Sequence, residues 1–337
     1  MILILSSKFD QSTNSVIDWL NYMGEDVIRM NKDDDRFLFN SLTRNGVYFT
    51  DRHSNQIINL LDAKACWWRR TGLSFSTFSR SQSSVKSKEN IDISNFTSSH
   101  NPSLFLEYRR LREFIYDKIY NNCKINIGAP VFDFNRLKVF ELAKKCGLSI
   151  PEYDIITSYA QLETCKRKWG GIVTKAISNG LYEDINNFRY YTYTELVDDI
   201  LMFEIAKTES YFPSLVTKAI EKKYEIRSFY LDEHFFSMAI FSQSNEHTKT
   251  DFRKYEDNRV EPYKLPQKIE NITVNLFHKL NFNCGSVDFI LDKDGNYIFL
   301  EINPVGQFGM TDYPCNYNLD YIIAKYLKDG EITKDIP

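Results

Sequence analysis

The sequence lacks any apolar run approaching the roughly 20 residues that span a bilayer, and so offers no membrane segment. Its start, Met1-Ile2-Leu3-Ile4-Leu5-Ser6-Ser7-Lys8, has no basic leader and is too short for a signal peptide; it reads as a buried first strand. Charge of one sign is also scarce. A net charge of −3 gives no global case for nucleic acid or an anionic membrane as partner. Six cysteines are scattered with no C-x-x-C pair, and five histidines fall in no ligand spacing. That pattern argues against disulfides and zinc, and a reducing cytoplasm is the expected compartment. No Ser-His-Asp set or Cys-His pair is readable, so a protein nucleophile has little support.

Aromatics, in contrast, are plentiful, with 21 Tyr and 25 Phe. They allow a sizeable core, and 337 residues predict two or three subdomains at roughly 150 residues each. Residues 1 to about 70 read as α/β: a strand at 2–6, a helix around 15–23, a strand near 26–30, and the run Ala63–Trp68 ending in Arg69-Arg70. The stretch 74–102 is rich in Ser, Asn and Thr and reads as a long polar loop. Residues 104–122 have helical spacing, with Leu106, Leu111, Ile115 and Ile119 expected on a common side.

A new unit begins near Ile127. Asn135 is placed to cap a helix running to Lys145, which Gly147 stops. There follow a strand at 153–157, a helix at 159–168, a strand at 172–176 and a turn at Ser178-Asn179-Gly180. Further on come a strand at 214–220, a hairpin of 225–231 and 235–242 about Asp232-Glu233, and a helix at 267–280. Short paired strands with helices between predict α+β subdomains behind the α/β N-terminal region. The expected boundaries are 1–126, 127–212 and 213–337.

The most informative segment is Gly285-Ser286-Val287-Asp288-Phe289-Ile290-Leu291, a turn, then Tyr297-Ile298-Phe299-Leu300-Glu301-Ile302-Asn303-Pro304. Two apolar runs flanking Asp-Gly predict a β-hairpin. A turn centred on Asp294-Gly295 puts Asp288 opposite Glu301, and alternation puts Asn303 on the face of Glu301. Adjacent carboxylates repel each other and resist desolvation. A hard cation such as Mg²⁺ removes the conflict. A wet hairpin face would tolerate the same residues without a metal. A calcium loop over Asp292, Asp294 and Asn296 fails because Tyr297 and Asn303 stand where Gly and Glu are needed.

Isolated cations complete the inventory. Lys175 ends a β-branched strand before a Gly turn and is either solvated or a point charge for phosphate. Arg227 lies within a strand, where it could pair with Glu225 or meet phosphate or carboxylate. Asp251-Phe252-Arg253 lies in a polar loop, and Arg69-Arg70 follow Trp67-Trp68 as a solvated strand end or an anion site.

Taken in order, these pieces resemble an ATP-grasp ligase over roughly Ile127 to the C-terminus. The pieces are Asn135-Arg136-Leu137-Lys138 opening a helix, Val173-Thr174-Lys175, Lys223-Tyr224-Glu225-Ile226-Arg227, and Asp288, Glu301 and Asn303 in V-D-F and L-E-I-N-P. Trp67-Trp68-Arg69-Arg70, the Glu107 helix and Asp251-Phe252-Arg253 narrow the resemblance to the branch that makes graspetides, and within it to the grasp-with-spasm maturases. The resemblance implies an N-terminal pre-ATP-grasp domain and two α+β subdomains sandwiching ATP. It implies that Arg136 and Lys175 hold phosphates, that Thr217, Lys218, Ala219 and Ile220 meet the adenosine, and that Asp288, Glu301 and Asn303 bind one or two Mg²⁺ ions. Arg227 and Arg253 would be catalytic, and Arg69, Arg70 and Asp251 would contact substrate. That substrate would be a ribosomal precursor peptide whose leader meets the region after Leu104, and the enzyme would be a homodimer. Two positions depart from the pattern: Arg136 replaces the usual phosphate-binding Lys, and Thr217-Lys218 replace a Gln-Glu pair of ribosomal-protein glutamate ligases. The alternatives are a ligase adding an amino acid to a protein or metabolite, a nucleotide-dependent regulatory protein without turnover, and a purely structural α+β protein.

Overall fold

The computed structural model describes residues 1–70, 72–78, 101–131, 134–178, 182–185, 188–191, 194–208, 210–244 and 258–332. The side chains of 182–191 are not described. Asp251, Arg253, the Asn179-Gly180 turn and most of the 74–102 loop lie outside the described residues.

The chain opens with a four-stranded parallel sheet. Its order is β2 (Val27–Asn31), β1 (Ile2–Ser6), β6 (Ala65–Trp68) and β7 (Ile125–Ile127). Every residue of β1 is buried, as a parallel strand covered on both faces requires. Ile2, Ile4 and Trp67 pack under helix α1 (Ser12–Tyr22) and the distant helix α9 (Leu319–Asp329). Leu3, Leu5 and Trp68 pack under helix α3 (Pro102–Asn122) and a small antiparallel sheet of β3 (Phe37–Leu42), β4 (Val47–Asp51) and β5 (Ile57–Asn59). A short helix, α2 (Phe75–Phe78), begins the polar excursion.

Asn101 caps α3 by accepting hydrogen bonds from the Ser103 and Leu104 backbone N–H groups. Its buried line is Tyr108, Ile115, Tyr116 and Ile119. Leu106 departs from the expected stripe and is 50% exposed. At about 100° per residue, Leu106 lies half a turn away from Ile115.

Helix α4 (Arg136–Cys146) is capped by Asn135 and ends at Gly147, whose φ of 101° is left-handed. Through Val139, Phe140 and Ala143 it packs on the C-terminal core, and Phe140 and Glu141 also meet Tyr153. The central sheet runs β12 (Glu195–Leu196), β9 (Ile172–Lys175), β13 (Ser214–Lys218), β8 (Tyr153–Ile156). Helices α5 (Tyr159–Trp169) and α6 (Asp199–Ala206) complete its core with Leu162, Cys165, Trp169 and Met202. A hairpin of β10 (Tyr182–Ile185) and β11 (Phe188–Tyr191) stands apart from it. Because β13 pairs with both β8 and β9, we propose the subdomain boundary after Lys218.

The C-terminal sheet is antiparallel: β16 (Val260–Tyr263), β15 (His234–Ile240), β14 (Lys222–Leu231), β17 (Cys284–Asp292), β18 (Tyr297–Asn303). Asp232 and Glu233 turn β14 into β15 with φ of 46° and 67°, as a primed two-residue turn requires. Helix α7 (Gln267–Lys279) covers one face, and α8 (Gly309–Cys315) packs near β14, β15 and β16.

Gly72 tests this packing. Its φ is +64°, and a Cβ there would lie 2.6 Å from Leu5 Cβ in the central strand. Gly72→Ala is expected to cost about 2–4 kcal/mol from left-handed strain plus overpacking. A lowered denaturant midpoint in urea would report it.

Candidate active site

The site begins at the β17–β18 turn. Asp292 Oδ1 accepts hydrogen bonds from the Asp294 and Asn296 N–H groups, Asn296 Nδ2 donates to Asp292 Oδ2, and Gly295 takes φ of 88°. These side chains close the turn, which accounts for their calcium-like spacing. The hairpin pairs Leu291 with Tyr297, Ile290 with Ile298 and Phe289 with Phe299, so the turn is centred on Asp294. Continued unchanged, that register would set Asp288 opposite Leu300. A β-bulge between Asp288 and Phe289 on the ladder shifts it by one, and Asp288 meets Glu301. The expected pair is therefore present, but the bulge produces it and the turn alone does not. Bulges re-aim side chains in this way, and both Leu300 and Glu301 line one cavity.

Three cations from separate elements meet these carboxylates. Arg227 on β14 is the cross-strand neighbour of Asp288 and donates from Nη1 to Oδ2 at 3.2 Å. Lys175, at the end of β9, places Nζ 3.1 Å from Glu301 Oε2. Arg136, at the start of α4, donates from Nη2 to the same oxygen at 3.2 Å and from Nη1 to the carbonyls of Ala176 and Ser178. The charges lie in a partly buried setting, where attraction is stronger than in water. Arg227 Nε is buried and makes no hydrogen bond among the described residues. A buried donor of that kind calls for a partner.

The cavity holds about 250 Å³. Ala219 and Ile220 of the hinge, with Phe140, Val173 and Ile290, supply apolar lining beside Thr217 and Lys218; Lys175, Asp288 and Glu301 supply charged lining. An apolar slot leading to fixed cations and carboxylates suits a flat ring attached to phosphates. The Lys218 ammonium itself turns to Glu152, at 3.7 Å. Asn303 shares the Glu301 face, and its Oδ1 accepts a hydrogen bond from Val305 N–H.

Lys222 and Gln307 were missed in the sequence, and Glu225 was noted there only as a possible partner of Arg227. Lys222 and Glu225 line the cavity, both buried, in contact with each other, with Ser242 Oγ donating to Glu225 at 3.0 Å. Of the two alternatives left open for Arg227, a local pair with Glu225 or a phosphate or carboxylate, the structure shows a carboxylate, Asp288, while Glu225 pairs with Lys222. Burial pushes the Glu225 carboxyl above its ordinary value, and Lys222 opposes that rise. The available signal was a Lys three residues ahead of a Glu within one strand. Gln307, whose Oε1 accepts from Arg227 Nη2 at 3.4 Å, gave no sequence signal.

Arg69 and Arg70 do not line this cavity. Arg69 is 3% exposed and bonds Asp10, Ser12 and the carbonyls of Val305 and Gly306. Arg70 donates to Asp10 at 3.2 Å and is partly exposed. Burial alone would raise the Asp10 carboxyl, but Arg69, Ser12 and Arg70 together hold it below its ordinary 3.8. A depressed carboxylate contributes stability above its unfolded value and loses it as pH falls below that value. The Asp10 contacts are thus intact across the neutral range.

A divalent cation fits the donor set. Among the described residues no group of three or more His, Cys, Asp or Glu exists. A metal would rest on two carboxylates and the Asn303 amide, all hard oxygen donors, and take its remaining oxygens from a ligand, as Mg²⁺ does with phosphates. No described helix is long and apolar enough to cross a membrane.

No family model and no curated protein matches the chain. Solved structures do. A Chryseobacterium gregarium RiPP-associated ATP-grasp ligase in complex with ADP and a leader and core peptide aligns with a TM-score of 0.74 at 21% identity, covering 99% of this chain and 98% of that one. The macrocyclase MdnC of Microcystis aeruginosa, bound with precursor peptide MdnA, aligns at 0.72 and 24% identity, over 98% and 100% of the two chains. D-alanyl-alanine synthetase A of Vibrio cholerae aligns at 0.54 and 12% identity, over 97% of each. The chain has the ATP-grasp fold across nearly its whole length.

With Arg136 and Lys175 resting on Glu301, a divalent cation alone would face two positive charges. Nucleotide phosphates that draw both away should make the metal bind about 5–150-fold more tightly, the usual range of such coupling. Titration calorimetry with Mg²⁺ alone, then with ADP present, would measure the difference.

Proposed function

We propose that the chain is an ATP-dependent ligase that crosslinks a ribosomal precursor peptide within itself. The observation that carries this reading is the Asp288–Glu301 pair, matched by Arg227, Lys175 and Arg136 at one end of an apolar-walled cavity. Arg136 and Lys175 would hold the phosphates of ATP, and the Thr217–Ile220 hinge its adenosine. Asp288, Glu301 and Asn303 would hold one or two Mg²⁺ ions, which when bound neutralise charge on the phosphates being transferred.

A side-chain carboxylate of the peptide attacks the γ-phosphorus, and ADP leaves. The acyl phosphate so formed is attacked by a Thr or Ser hydroxyl, giving an ester, or by a Lys amine, giving an amide; phosphate departs. Arg227 is a fixed guanidinium beside Asp288 and suits charge developing on the phosphoryl or acyl-phosphate oxygens. Arg253 remains a candidate for the same catalytic role, and Asp251 and Arg70 remain candidates for substrate contact in this proposal. No protein nucleophile is needed, in keeping with the lack of a readable triad.

A peptide partner is supported by two exposed apolar patches. On α3 these residues are Leu106 and Phe114, about 80° apart on the helix; beside the central sheet they are Ile200 and Phe203 of α6, with Phe212 further along the chain. Either could seat a leader segment. Homodimeric assembly belongs to the same proposal and is checked by light scattering.

The test is mass spectrometry of a short Thr-, Ser-, Asp- and Glu-rich peptide encoded beside this protein, after incubation with it, ATP and Mg²⁺. Loss of one water per bond is expected. A mass gain equal to a free amino acid would instead indicate ligation of that amino acid. Asp288→Asn and Glu301→Gln should each slow modification by about 100-fold; near-normal rates would refute the metal assignment.

A further inference from the structure

Arg69 sits where the N-terminal sheet meets the loop that follows β18. Its guanidinium has five N–H groups. Nε donates to Asp10 Oδ2 at 2.9 Å; Nη2 donates to Asp10 Oδ1 at 3.4 Å and Ser12 Oγ at 3.0 Å; Nη1 donates to Val305 O at 3.0 Å and Gly306 O at 2.7 Å. Its plane lies near the rings of Trp67 and Phe308, with centroids 5.7 and 5.5 Å away. Every donor is used, so a substrate contact would require dismantling the set.

What Arg69 holds is the turn behind Asn303. Val305 N–H donates to Asn303 Oδ1 at 3.0 Å, and Gly306 N–H donates to Asn303 O at 3.1 Å. Gly306 has φ of +65°, and a Cβ on it would meet Cys284 Sγ at 2.8 Å. The next residue, Gln307, accepts from Ser286 Oγ through its carbonyl and from Arg227 Nη2 through its side chain. The two carbonyls clamped by Arg69 therefore lie between the Asn303 amide on one side and the Gln307–Arg227–Asp288 line on the other.

We propose that Arg69, oriented by Asp10, is a positioning residue for the Asn303 turn, so that the N-terminal domain sets the geometry of the metal site. This rests on the ligase reading above, in which Asn303 is a metal ligand. A point charge cannot replace the fork: Lys offers no planar pair of donors to two adjacent carbonyls. A buried Arg–Asp pair is also weak evidence of stability by itself, since apolar groups often serve as well. Geometry is the better reason for placing it here.

The test measures Mn²⁺ binding by electron paramagnetic resonance in the presence of ADP, on the full chain, with thermal melts run alongside. Arg69→Lys is expected to weaken Mn²⁺ binding about tenfold, the scale on which supporting residues act at metal sites, with peptide KM unchanged. Ser12→Ala, which leaves the contacts to Val305 and Gly306, should bind metal like wild type. Should Arg69→Lys not fold, Asp10→Asn keeps the partner's shape, removes the orienting charge, and gives the same readout. Normal metal binding in the folded variant, or a raised peptide KM with normal metal binding, overturns the proposal. Failure of the wild-type protein to bind Mn²⁺ with ADP would instead overturn the ligase reading.

Discussion

Two carboxylates side by side on adjacent strands, partly withdrawn from water, set the terms for the C-terminal half of the molecule. Asp288 and Glu301 would repel each other and lose hydration unless positive charge came with them. The chain brings that charge from three directions: β14 supplies Arg227, β9 supplies Lys175 and α4 supplies Arg136. Two of these belong to elements outside the β17–β18–β14 ladder. Closing the central sheet and α4 over the hairpin is therefore also the act that neutralises it. Arg136 and Lys175, which stand on Glu301, are the two that would meet phosphates under the proposed function.

This arrangement gives the cavity its two characters. The hinge at Thr217–Ile220 is the end of β13, an inner strand of the central sheet, and the residues that follow it; it lines the cavity together with Phe140 from α4. The charged lining comes from both sheets: Asp288 and Glu301 from β17 and β18, and Lys175 from β9 of the central sheet. A ligand with a flat apolar part and a chain of anionic groups satisfies both ends at once. The buried Lys222–Glu225 contact between them keeps a further charge pair at the wall without leaving either group alone.

The N-terminal sheet is not a separate attachment. Its face is covered by α9, the last described helix of the chain, and Arg69 reaches from the end of β6 to the carbonyls of Val305 and Gly306. The N-terminal sheet and α9 thus share one core, and the loop that follows β18 is fastened to it. Arg69 illustrates how a residue type can be noticed for the right reason and given the wrong partner: paired arginines after a hydrophobic strand do mark an anion site, and the anion is Asp10.

Much of this was legible from local pattern. β1 is an unbroken apolar run because both faces of a parallel strand are buried. Asn135 and Gly147 bracket α4 because each solves a terminus problem within a few residues. Helix α9 was equally readable, with Leu319, Ile322, Ile323, Tyr326 and Leu327 at helical spacing before Gly330, although it was not read. Leu106 was assigned to the wrong side of α3 because apolar character was noticed without its angular position. Local chemistry thus determined the elements, the hairpin and the identity of its charged residues, since caps, turns and periodicity act over a few positions. Tertiary structure alone decided the bulge that sets Asp288 against Glu301, the transfer of β13 to the central sheet and of α4 to the C-terminal core, the Lys222–Glu225 pairing and the partners of Arg69. Each of these depends on which distant segment lies alongside, and that is settled by burial and charge compensation between elements far apart in the chain.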